Sequence, residues 1–75
     1  MEKQIIEIIS EILHLDEDML KERMDDHTVW DSLQRVEILF AVEDEFDVQF
    51  TQDEIAEMAT PEMLKEAVLR KVDSL

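Results

Sequence analysis

Seventy-five residues, with 21 acidic against 7 basic side chains and a formal net charge of −14, allow one small core and exclude a deep-walled catalytic cleft. A surface so acidic repels polyanions, which excludes nucleic acid and anionic membrane as partners and favours basic patches on other proteins. The chain has no cysteine, so disulfides, a thiolate nucleophile and zinc–thiolate sites are excluded, and a thioester could be carried only on an attached group.

Met1-Glu2-Lys3-Gln4-Ile5 lacks the basic segment and long apolar stretch of a signal peptide, and no apolar run approaches membrane-spanning length. A cytosolic location is the expectation. Glycine is absent and proline occurs once, while apolar residues recur at helical spacing. The prediction is one all-α domain over residues 1–75, a four-helix bundle with a long first loop and a short third helix.

The first helix is predicted from about Glu2 to Leu15, with Ile5, Ile8 or Ile9 and Ile12 on one face and Leu13 in support. Lys3, Glu7, Glu11 and His14 face water. Glu11-x-x-His14 has the spacing used by di-iron bundles, but that site needs the motif twice plus two further glutamates, and His27 follows Met24 at the matching position. No metal site is expected. A polar connection from Asp16 to Trp30 follows, punctuated by Met19, Leu20, Met24 and Val29, with room for a helical turn around Glu17 to Arg23. It exceeds the usual helix–helix connection and lets the second helix start at the exposed end of the bundle. An EF-hand is excluded, because its loop requires a central glycine.

The second helix, about Ser32 to Phe46, is expected to bury Leu33, Val36, Leu39, Phe40, Val42 and Phe46 and to expose Gln34, Arg35, Glu37, Asp44 and Glu45. Asp31 is its N-cap, and Gln34 approximates a capping box. Val48-Gln49-Phe50 reads as an extended loop whose Val48 and Phe50 plug the core. A short third helix starts at the Thr51-Gln52-Asp53-Glu54 capping box and ends near Ala59. Thr60-Pro61 opens the last helix, with Met63 or Leu64, Ala67, Val68 and Val72 facing inward.

Ser32 is the candidate for chemistry. At a helix N-terminus, unpaired N–H groups and the positive dipole end favour an attached phosphate. A serine hydroxyl is a weak nucleophile without a base, and no histidine is spaced to supply one. No catalytic residue is expected, because the chain lacks a thiol, a nucleophile–base pair and a metal-ligand set. Asp73-Ser74-Leu75 repeats the tripeptide Asp31-Ser32-Leu33 without the amphipathic run behind it, so context carries the signal rather than the tripeptide.

That context is Trp30-Asp31-Ser32-Leu33, then Val36, Glu37, Ile38, Leu39, Ala41 and Val42, the acidic Glu43-Asp44-Glu45, and Phe46-Asp47. It resembles the attachment site of acyl carrier proteins. The resemblance implies the acyl-carrier bundle fold, a covalent 4′-phosphopantetheine on Ser32, and acyl cargo held as a thioester. It also implies a phosphopantetheinyl transferase that supplies coenzyme A, a divalent metal and the base, with Asp31 helping to hold that metal and Leu33 in contact with partners. Glu37 and Asp44, seven residues apart on one stripe, would join Glu45 and Glu57 in recognising acyl-loading and acyl-transferring enzymes with basic docking patches. Phe40, Ile55, Met58 and Ala59 would line an acyl-sheltering space between the second and third helices. A monomer is expected.

Carriers of general fatty-acid synthesis commonly place glycine and a small residue before the Asp-Ser-Leu, whereas Val29-Trp30 stands here, with Gln34 and Arg35 beyond it. Trp-Asp-Ser-Leu is more similar to free-standing carriers of dedicated pathways. Trp30 is expected to staple the incoming chain to the helix by stacking on the Arg35 stem. Two other readings share the fold: an aminoacyl carrier, and an acidic interaction module whose serine is never modified.

Overall fold

The computed structural model describes residues 2–73 and is all-helical, with no strand among the described residues. Five helices follow in order: α1 (Glu2–Leu13), α2 (Glu17–Glu22), α3 (Ser32–Phe46), α4 (Gln52–Glu57) and α5 (Pro61–Asp73). The expected helical turn in the first connection is a helix in its own right, α2, which raises the count from four to five. Met1 and Ser74-Leu75 lie outside the described residues.

α1 packs against α2, α3 and α5. Ile5 and Ile9 are fully buried, Leu13 continues their face, and each such side chain stabilises the fold by about 1.5–3 kcal/mol. Leu20 from α2, Ile38, Leu39 and Val42 from α3, and Leu64 and Val68 from α5 complete the core, with Met24, Trp30 and Met58 supplied by the connections. Leu64 takes the inward position; Met63 is exposed.

α1 stops at Leu13, two residues short of the predicted end, because His14 turns left-handed at φ 56°. Leu15 N–H then donates back to the Ser10 carbonyl at 2.9 Å, a closure in which glycine is the usual residue. Asp47 does the same after α3 at φ 55°, and Val48 N–H donates to the Glu43 carbonyl at 3.1 Å. That turn aims Val48 into the core, and Phe50 packs against it. Glu43 Oε2 accepts from Phe50 N–H at 2.8 Å, while Lys71 Nζ stands 5.2 Å from the centre of the Phe50 ring.

The long connection is fastened at both ends of its second half. Glu62 N–H, in the first turn of α5, donates to the Met24 carbonyl at 3.0 Å. Trp30 Nε1 donates to the Ala59 carbonyl at 3.2 Å. These bonds hold the chain that leads into α3 against the link between α4 and α5.

Candidate functional site around Ser32

α3 begins where the sequence predicts, and for the predicted reason. Gln34 N–H donates to Asp31 Oδ1 at 2.7 Å and Asp31 N–H to Gln34 Oε1 at 3.1 Å, a reciprocal capping box. Two of the free N–H groups at the helix start are thereby satisfied. The Thr51–Glu54 box at α4 is formed likewise, and Met63 N–H donates to Thr60 Oγ1 at 3.2 Å ahead of α5.

Ser32 occupies the first position of α3 and is exposed. Its hydroxyl makes no hydrogen bond among the described residues. It opens onto a hollow of about 340 Å³ lined by His27, Trp30, Asp31, Ser32, Arg35 and Ala59. The rest of the family-like register divides around the helix. Leu33, Glu37, Phe40 and Asp44 form one exposed stripe leading away from Ser32, with Glu45 also exposed. Ile38, Leu39 and Val42 form the buried face. Glu57 is exposed at the end of α4.

The burial predicted for α3 is corrected at several places. Leu33 is 69% exposed and Phe40 64%, because each lies about 180° or 160° around the helix from Val42, which sits at the centre of the packed face. Ile38, absent from the predicted face, is fully buried. Gln34 and Arg35, expected in water, are half-buried. Arg35 folds over the end of α4, where Nη1 donates to the Met58 carbonyl at 3.4 Å. Its Nε is buried, with no hydrogen-bond partner among the described residues.

The four residues expected to line an acyl space do not converge. Met58 is buried and Ile55 half-buried against the core, but Ala59 is exposed and Phe40 belongs to a separate surface hollow with Glu43, Asp44, Asp47, Val48 and Gln49. Met58 also faces a hollow of about 320 Å³ between α4 and α5, shared with Glu54, Glu57, Met63, Glu66, Ala67 and Arg70. Beside it, hydrogen bonds from Thr51 N–H and Lys71 Nζ hold the Glu54 carboxyl below the ordinary glutamate value.

Sequence reasoning missed the contribution of Arg35 and His27 to the surroundings of Ser32. The signal available for Arg35 was its place three residues after the serine, one turn along the same side of the helix. His27 reaches the hollow only through the path of the loop, which carries no periodicity.

These surroundings would suit a phosphate ester on Ser32. The Ser32 residue is exposed and its hydroxyl uncommitted among the described residues, a helix N-terminus lies behind it, and Arg35, with an N–H unused among those residues, borders the adjoining hollow. Among the described residues no cluster of three or more His, Cys, Asp or Glu is placed to hold a metal, and no helix is long and apolar enough to cross a membrane.

Comparison with protein families gives a match to the family described as the phosphopantetheine attachment site, over residues 3–68. Comparison with curated proteins gives no match, and comparison with solved structures gives none.

Proposed function

This chain belongs to the phosphopantetheine attachment-site family of acyl-carrier-type proteins, and we propose that the covalent 4′-phosphopantetheine of that family is carried here on Ser32. The observation that carries this reading is the uncommitted Ser32 hydroxyl, exposed at the first position of α3 beside its hollow. Ser10 is a poor alternative: it is buried within α1, and its Oγ donates to the Glu7 carbonyl at 3.1 Å.

In the loading step, Ser32 Oγ attacks the phosphorus bonded to the pantetheine half of coenzyme A. One O–P bond forms, the phosphoanhydride breaks, the nucleotide half departs with its phosphates, and the serine proton passes to a base on the transferase. Asp31 lies beside the reacting oxygen, where its free carboxylate oxygen can help hold the transferase's divalent metal. The bound arm supplies the thiol that the polypeptide lacks, on which cargo is held as a thioester.

An acyl cargo is the reading adopted, supported by Met58 and Met63 facing the α4/α5 hollow, since methionine adapts to variable apolar shapes. The partners are acyl-loading and acyl-transferring enzymes with basic patches. Glu37, Asp44 and Glu45 on α3 and Glu57 on α4 offer them charge, and exposed Leu33 and Phe40 offer apolar contact in the same stripe.

Incubation with coenzyme A, magnesium and a broad-specificity transferase should add the mass of one phosphopantetheine, and peptide mapping should place it on Ser32. Ser32→Ala should abolish the gain. Modification that survives Ser32→Ala, or no gain with a transferase active on other carriers, would overturn the assignment. The intact mass of protein from its native host would identify the cargo.

A further inference from the structure

Among the half-buried cations of the molecule, Arg35 stands apart. Arg23 pairs with Asp26, Lys65 with Glu2 and Glu62, and Lys71 with Glu54. Arg35 has no carboxylate within ion-pairing distance among the described residues, in a chain carrying 21 acids. Its guanidinium has five N–H donors; one makes a long contact to Met58, and buried Nε makes none. Leaving a buried donor unsatisfied is costly, and more so for a charged group.

The same side chain borders the hollow beside Ser32. A phosphodiester on Ser32 would set a permanent anion one helical turn from Arg35, and the guanidinium fork matches two phosphate oxygens at once. The other walls are His27, Ala59 and Trp30, the last a core residue 7% exposed that borders the hollow. Asp31 is the opposing charge, and its Oδ1 is already engaged by Gln34 N–H. The hollow, about 340 Å³, lies at the small end of ligand sites, enough for the proximal part of the arm and not for cargo.

We propose that Arg35 and Trp30 form a seat for the proximal arm on the carrier's own surface. Arg35 pairs with the phosphodiester, and the carbon chain that follows lies over the Trp30 indole. The seat rests on Ser32 as the attachment point.

Trp30 is the sole tryptophan, so its emission reports the hollow directly. Wild type, Arg35→Gln and Arg35→Lys are loaded with phosphopantetheine, with complete loading checked by intact mass and helicity by circular dichroism. Emission and the phosphorus NMR line are then compared before and after loading, and across a salt series. Loading should change wild-type emission, and the phosphorus line should be as broad as expected for a group tumbling with the protein. Arg35→Gln should lose most of the emission change and narrow the line; Arg35→Lys, which keeps the charge and lacks the fork, should fall between.

Added salt should narrow the wild-type line by screening the ion pair, a test that requires no variant. Complete loading with unchanged wild-type emission, or with a line indifferent to both Arg35→Gln and salt, overturns the seat and leaves the attachment standing. Absence of any mass gain overturns both.

Discussion

Ile38 and Phe40 are two positions apart and about 200° apart around α3, and the structure assigns them opposite tasks. Ile38 is fully enclosed, while Phe40 stands in solvent. Ile38→Ala should therefore destabilise the protein by about 2–5 kcal/mol, a large share of the roughly 4–11 kcal/mol available to a domain of this size. Phe40→Ala should stay within about 0.5 kcal/mol. Urea unfolding compares the two, and similar losses would return Phe40 to the interior. Residue type could not separate them, because α3 carries apolar residues on both faces and a hydrophobicity pattern alone does not choose between two apolar stripes.

At the scale of elements, the exposed stripe of α3 is mixed: Leu33 and Phe40 alternate with Glu37 and Asp44 along one line. Replacing Glu37 and Asp44 by lysine should slow association with basic partner enzymes and reduce its salt dependence, while the fold changes by no more than about 0.5 kcal/mol. Transfer kinetics at low salt, with circular dichroism as control, make the measurement; unaltered kinetics would place docking elsewhere. Helix starts were legible because caps are local chemistry: Asp31 with Gln34, Thr51 with Glu54, and Thr60 before Pro61 all act as their spacing predicts. The end of α1 was not, since a left-handed histidine replaces the glycine that would have marked it. The bonds from Trp30 to Ala59 and from Glu62 to Met24 were equally hidden, because they join segments about 30 to 40 residues apart and depend on tertiary placement. Burial of Arg35 follows from that same placement.

For the whole molecule, 21 carboxylates on a small surface repel more than 7 bases can offset, so salt or magnesium should raise the melting temperature. A flat or falling series would show that self-repulsion is not limiting. pH acts through specific bonds as well. Hydrogen bonds from the Thr28 hydroxyl and N–H, reinforced by Arg23, lower the Asp26 carboxyl from 3.8 to about 2. A group lowered in this way stabilises the fold above its unfolded value, and the contribution disappears as pH falls from 3.8 through about 2. Glu54, also lowered, adds to the same acid limb. Lys65, raised by hydrogen bonds to Glu2 and then Glu62, acts in the other direction: its contribution is complete below 10.5 and is lost as pH rises through its folded value. Asp26→Asn keeps the acceptor for Thr28 and removes the titration, so its acid limb in a melting-temperature profile should be shallower than that of wild type. Coincident limbs would remove Asp26 from the account.

The end of α4 is gripped from the Ser32 side by two side chains, Arg35 on the Met58 carbonyl and Trp30 on the Ala59 carbonyl. Met58 simultaneously sends its own side chain into the core and onto the α4/α5 hollow. An outward displacement of the end of α4 would have to stretch or break both bonds. The Ser32 end and the α4/α5 side are thus joined through two adjacent backbone carbonyls.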